Sequence, residues 1–224
     1  MDEIGVKKIG FPLVDSVVQR SFIATGGTVL ASKLAINYGV ACNTAGGSHH
    51  ANYQGGAGYC VFNDVAVAAY YLLDRGLAGR ILIVDLDVHQ GNGTASLFRG
   101  REDVFTLSFH GKNNYPFRKE KSDFDYDFDD HTDDYFYLDK LRRHLPEIID
   151  SFEPDFIFYL SGVDILKNDK LGKLGLSIEG CKERDRFVLE TCKKNNIPLQ
   201  ISMGGGYSSN LRDIIAVSYT HLRA

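Results

Sequence analysis

Strand-length runs of β-branched and aromatic residues alternate with longer stretches of helical periodicity, and that alternation constrains the fold more than any other feature of the chain. The runs are Val40 to Asn43, Ile81 to Asp85, Val104 to Phe109, Phe156 to Leu160 and Leu199 to Met203. The helical stretches are Thr28 to Tyr38, Val61 to Arg75, Asp134 to Phe152 and Glu179 to Asn195, with Gly39 and Gly76 where helix C-termini favour glycine. Parallel strands need crossover helices, so this order predicts an α/β fold of three layers, α/β/α, around a mostly parallel central sheet. At 224 residues the chain can bury a core without disulfides or a structural metal. No fixed-period repeat, low-complexity linker or composition shift divides it, so residues 1–216 are expected to form one domain.

Several function classes recede at this level. Lys and Arg number 25 against 29 Asp and Glu, a net charge of -4, which is not the footprint of a protein that tracks nucleic-acid phosphates. Cys42, Cys60, Cys181 and Cys192 contain no C-x-x-C pair and read as reduced thiols of a cytoplasmic protein. No run approaches the ~18 apolar residues of a membrane span, and the acidic start has no apolar segment of a signal peptide.

Function is written at the ends of the strands. Four runs are followed by chemistry-bearing clusters: Gly46-Gly47-Ser48-His49-His50, Asp85-Leu86-Asp87-Val88-His89, Ser161-Gly162-Val163-Asp164 and Gly204-Gly205-Gly206-Tyr207. Ligands of open α/β sheets bind outside the carboxyl ends of the strands, so these clusters are expected to share one crevice. In extended chain Asp85, Asp87 and His89 point to one side, where two carboxylates and an imidazole repel and desolvate one another unless a cation joins them. Asp164 adds a further oxygen donor, and Asp87, His89 and Asp164 make the three protein ligands of a catalytic metal that keeps a position open. The alternative is a solvated turn with a hydrogen-bonded histidine. His49 and His50, each otherwise a candidate structural hydrogen-bonder, gain meaning beside such a metal, because hydrolysis needs a group that takes a proton from water and returns one to the leaving group. The Gly204 to Tyr207 segment lacks the lysine and spacing of a Walker loop. It reads either as a loop presenting the Tyr207 hydroxyl to developing negative charge or as a packed aromatic after a turn.

Taken in order, these clusters, together with Gly58-Tyr59-Cys60-Val61-Phe62-Asn63-Asp64 and His89-Gln90-Gly91-Asn92-Gly93, resemble the zinc-dependent histone deacetylases and their bacterial relatives. The form of the last motif, with Tyr115-Pro116 and Asp164 through Gly172, is most similar to the class IV branch, and the resemblance runs from about Ile9 to Asp213. It implies an arginase/deacetylase-like fold and hydrolysis of N-acyl-lysine, in a peptide, or of an acylated polyamine. By position, Asp87, His89 and Asp164 would hold zinc, with Fe2+ the alternative ion. His50 would act as general base and then acid, and His49 as its electrostatic partner, its tautomer fixed by Asp85. Asn92 would be a neutral partner to His50 where another branch has Asp, leaving His50 less basic. Tyr207 would stabilise the oxyanion, and Gly58, Tyr59 and Tyr115 would line the substrate tunnel. A potassium ion is implied near Asp85 and Ser108. Two-manganese ureohydrolases share the fold, but Ile165-Leu166-Lys167 offers no second carboxylate two residues after Asp164.

Some features stand outside the resemblance. The family core extends further at both ends, and residues 217–224 are expected to be a non-native tail. The segment Asp123 to Asp134, with seven aspartates in twelve residues, reads as a solvated loop or as a rim attracting cationic substrates. His110, His131 and His144 have no ligand-like spacing and are expected to be structural or exposed, and Cys60 to be inert packing. The competing functions are a non-catalytic acyl-lysine or metal-binding module and an acetylpolyamine or acetoin-utilisation type amidohydrolase.

Overall fold

The computed structural model describes residues 3–219. Among the described residues, six strands form one sheet in the order β1-β6-β5-β2-β3-β4, every pair parallel. The strands are β1 (Val40–Asn43), β2 (Ile81–Asp85), β3 (Val104–Gly111), β4 (Phe124–Phe128), β5 (Phe156–Leu160) and β6 (Leu199–Ser202). Seven helices accompany them: α1 (Glu3–Ile9), α2 (Asp15–Tyr38), α3 (Asp64–Asp74), α4 (Asn92–Phe98), α5 (Asp134–Phe152), α6 (Ile178–Lys194) and α7 (Leu211–Ser218).

The three layers follow from side-chain alternation along strands buried on both faces. Ile81 and Ile83 of β2, with Phe156 and Phe158 of β5, pack against Val65, Ala68 and Leu72 of α3 and Ala35 of α2. Leu82 and Val84, with Ile157 and Tyr159, face the other way onto Leu141, Leu145 and Ile149 of α5 and Val188 of α6. Asn63, Asp133 and Ser177 begin α3, α5 and α6 by accepting a backbone N–H of the first turn, from Ala66, Phe136 and Gly180. The Asn63 cap starts α3 at Asp64 rather than at Val61.

Two differences from the sequence expectation have physical causes. The second helix starts at Asp15, before the Gly26-Gly27 pair that interrupts its periodicity; at Gly27 an added Cβ would lie 3.1 Å from the Asn43 side chain, so the helix comes close to β1 there. The aspartate-rich segment is not simply a solvated loop. Phe124, Tyr126 and Phe128 pack inward from β4, which pairs with β3 and lengthens that strand to Gly111. Asp123 accepts from the Thr106 N–H and hydroxyl, both at 2.8 Å, and Asp125 from Gln90 Nε2 at 2.8 Å, so these carboxylates knit the segment to its neighbours. Short helices α1, α4 and α7 complete the chain. Of the residues expected to form a tail, Val217 and Ser218 finish α7, and residues 220–224 lie outside the described residues.

Candidate active site

The chain runs β2, β3, β4 to one side of the sheet centre and β5, β6 to the other, so the topology reverses between β2 and β5, where ligands of such sheets bind. The loops after both strands meet there with the loops after β1 and β6. Stitching between loops is dense. Asp164 Oδ1 accepts the Val88 N–H at 2.9 Å, Asp87 Oδ2 the Gly205 N–H at 2.8 Å, and Gly205 O the Val163 N–H at 2.5 Å. A Cβ on Gly205 would collide with the Asp164 carboxylate, which is why this loop is glycine where it crosses the cluster.

Asp87, His89 and Asp164 each offer a ligand atom, and all three atoms lie within 4.8 Å of one another. His89 Nδ1 is 3.0 Å from Asp87 Oδ1 and 3.1 Å from Asp164 Oδ2. Asp87 and Asp164 are buried, at 2% and 0% exposure. Burial and the neighbouring Asp87 charge push Asp164 up to about 7, while the two carboxylates overcome burial to lift His89 to about 10. An anionic pocket that draws a proton to this degree, with three convergent N and O donors, fits a divalent cation as described for open catalytic sites.

Beside the cluster His49 and His50 lie with ring centroids 4.1 Å apart. Their loop is fixed from below by Asp64, whose carboxylate accepts the Gly47 and Ser48 N–H groups at 3.1 and 2.7 Å and the Thr28 hydroxyl. His49 Nδ1 meets Asp85 Oδ2 at 2.6 Å, and the Asp85 carboxylate overcomes the cost of burial to raise His49 to about 9. His50 Nδ1 donates to Asn92 Oδ1 at 2.7 Å, which leaves Nε2 as its unprotonated nitrogen. Burial and the His49 charge hold His50 well below the ordinary histidine range, so the two imidazoles differ in charge.

A cleft of about 410 Å³ opens above them, lined by His50, His89, Gly58, Tyr59, Tyr115 and Tyr207 among others. The Tyr115 ring stands edge-on to His50 at 4.9 Å. Gly58 and Tyr59 both have positive φ, 52° and 65°, and their N–H groups donate to Lys8 O and Ile9 O at 3.0 and 2.7 Å. A Cβ on Gly58 would lie 2.5 Å from His50 Cδ2, so glycine lets this wall touch the histidine. The Tyr207 N–H donates to Asp169 Oδ2 at 2.6 Å, and burial raises its phenol above the ordinary range. A larger hollow, about 920 Å³, lies at the amino ends of β1 and β6, away from these groups.

Every sequence-predicted site residue therefore lies in or beneath one cleft. Asp85 pairs in register with Ser108, whose hydroxyl is 3.0 Å from the Nδ1 of buried His110. Cys60 is buried and its thiol pushed up to about 12. Sequence reasoning assigned no role to Asp64 or to Arg184, a wholly buried residue of α6. Arg184 carries a legible signal, a charge on the apolar stripe Cys181, Arg184, Val188, Cys192.

A family model described as Histone deacetylase domain matches residues 4–222. An uncharacterized protein of Picosynechococcus sp. is 46% identical over 209 residues, covering 93% of this chain and 70% of its own length. Histone deacetylase 2 of Arabidopsis thaliana is 35% identical over 200 residues, 88% of this chain, and the chain spans 52% of that relative. Among solved structures the HD domain of HDA15 is similar in fold, with a TM-score of 0.78 at 24% identity over 91% of this chain and 62% of that one.

Proposed function

From membership of the histone deacetylase family, to which this chain belongs, we propose that it is a class IV-like, zinc-dependent amidohydrolase that cleaves N-acyl-lysine or a related acylated amine to free amine and carboxylate. The observation that carries the reading is the convergence of the Asp87, His89 and Asp164 donors with His50 and Tyr207 in one cleft. Asp87, His89 and Asp164 hold the metal, Zn2+ or alternatively Fe2+. When bound, the ion supplies a Lewis acid for the acyl carbonyl and a water of lowered pKa.

The remaining work falls to side chains. His50 Nε2 takes a proton from the attacking water and returns one to the amine nitrogen as the C–N bond breaks. The Asn92 amide fixes its tautomer without adding a negative charge, while burial and the His49 charge keep His50 weakly basic. His49, held protonated by Asp85, contributes fixed positive charge beside the developing oxyanion. The Tyr207 hydroxyl donates to that oxygen. Gly58, Tyr59 and Tyr115 flank the methylenes of the acylated amine, and Asp85 and Ser108 are where a structural potassium ion would lie if one is bound, as the resemblance implies. The substrate is an acylated lysine peptide or an acylated polyamine, not nucleic acid. The free cysteines agree with a cytoplasmic setting, and no helix among the described residues is long and apolar enough to cross a membrane.

The test is single-turnover deacylation of a fluorogenic acetyl-lysine peptide and an acetylated polyamine, on protein stripped of metal and reloaded with one equivalent of zinc, beside Asp87→Ala. Turnover that requires zinc and vanishes in the variant is the expected result. Folded, zinc-loaded protein that binds either substrate without turnover would make it a binding module.

A further inference from the structure

A single buried guanidinium ties together the backbone of the two loops that carry the cluster. Arg184 sits on the face of α6 packed against the sheet and is 0% exposed. Its Nη1 donates to two main-chain oxygens, Gly162 O at 2.6 Å and Leu86 O at 3.1 Å. The Leu86 carbonyl belongs to the peptide unit that leads into Asp87. The Gly162 carbonyl belongs to the unit that leads into Val163, next to Asp164. The same side chain is oriented from behind by Asp185, whose Oδ1 lies 2.8 Å from Arg184 Nε and 2.7 Å from Nη2 and also accepts the Tyr159 hydroxyl. Tyr159 lies on β5 and therefore fixes the pair to the strand that leads into Asp164.

Gross stability does not account for this arrangement, because a buried ion pair is often matched or bettered by apolar residues of similar volume. What the pair provides is direction. The planar fork fixes one donor where the carbonyls after β2 and after β5 meet, at the sheet's reversal point. Gly162 and Asp87 are pressed together there, since a Cβ on Gly162 would lie 2.7 Å from Asp87 Cα. A shift of either carbonyl would move a carboxylate of the cluster.

We infer that Arg184 is a positioning residue for the metal centre: through the Leu86 and Gly162 carbonyls it holds Asp87 and Asp164 at the separation that three-point metal binding requires. The inference rests on the reading of Asp87, His89 and Asp164 as metal ligands. Groups behind metal ligands that set their orientation typically change affinity by about 10–100-fold when removed.

Zinc affinity measured by competition with a chromogenic chelator tests this on the full chain. The proteins are wild type, Asp164→Asn, Arg184→Lys, and the double variant Arg184→Met/Asp185→Asn, which leaves no unpaired charge and keeps an acceptor for Tyr159. Circular dichroism and urea unfolding of the metal-free forms report the fold. The expected result is cooperative unfolding in the Arg184 variants with zinc bound about 10–100-fold more weakly than by wild type. A packing role alone would lower the unfolding midpoint and leave the zinc affinity of folded protein unchanged. A folded Arg184 variant that binds zinc as tightly as wild type overturns the inference. Wild type binding zinc no more tightly than Asp164→Asn overturns the metal reading itself, and the inference with it.

Discussion

The floor of the cleft and its rim are built on opposite terms. On the floor His49 is 4% exposed and Asp164 0%, and carboxylate oxygens of Asp87 and Asp164 accept backbone N–H groups from neighbouring loops. At the rim Tyr59 is 57% exposed and Phe117 90%. Groups locked by hydrogen bonds need no reorganisation when charge develops, whereas exposed rings can repack around different ligands. The contrast teaches that the floor is fixed before any ligand arrives, whereas the rim can vary with the ligand it meets.

The comparison is broken first through the floor. His50→Ala should lower kcat by about 10²–10⁴-fold with little change in KM, the loss typical of a general acid–base group. Stopped-flow single turnovers at saturating substrate read it, and a loss confined to KM would move His50 from chemistry to binding. Tyr207→Phe sharpens the boundary, because Tyr207 is 37% exposed yet is assigned to the floor's chemistry. Its expected loss is about 10²–10³-fold in kcat, and a near-normal kcat would return this tyrosine to the rim.

The third test concerns what supports the floor. Burial pushes His110 down to about 4, against the raising influence of Asp125 and Asp127. The folded state therefore resists a proton that the unfolded chain takes up near pH 6.5, so this contribution is whole above about 6.5 and is lost as pH falls toward 4. The difference at pH 4 is about 3 kcal/mol. Urea unfolding of wild type and His110→Asn at pH 7 and pH 4 should show the variant losing that much less on acidification. Equal losses would mean that His110 charges freely in the fold. The smallest effect belongs to the rim. Phe117→Ala should change KM less than about tenfold and leave kcat alone, in line with the small cost of surface substitutions. A change in kcat to match Tyr207→Phe would erase the distinction.

Much of this was legible because local rules and the global fold agree. Five of the six strands and α5 follow from apolar runs and helical periodicity, and the polar residues that end those runs locate the cleft. β4 was hidden because Asp125 and Asp127 alternate with its aromatic residues; the same alternation, read at period two, is the signature of a half-buried strand. Asp85, Asp87 and His89 declared a shared face through their spacing. Asp85 and Asn92 as partners of His49 and His50 came from the family resemblance and not from spacing, since adjacent residues in extended chain point apart, and it is the Asp64-bound loop that brings both rings together beside the cluster. The position of Arg184 on the apolar stripe of α6 was legible but its role was not, because its partners are backbone oxygens about 20 to 100 residues away.

The two hydrogen bonds from Gly58 and Tyr59 to Lys8 and Ile9 make one lip of the cleft depend on a helix of seven residues. A helix that short is marginal by itself and holds only through its contacts. Amide deuterium uptake at Gly58 and Tyr59 should therefore follow the fraying of that helix, seconds or minutes ahead of the amides of β2 and β5, which exchange only when the whole sheet opens. The doorway and the floor beneath it thus keep separate clocks.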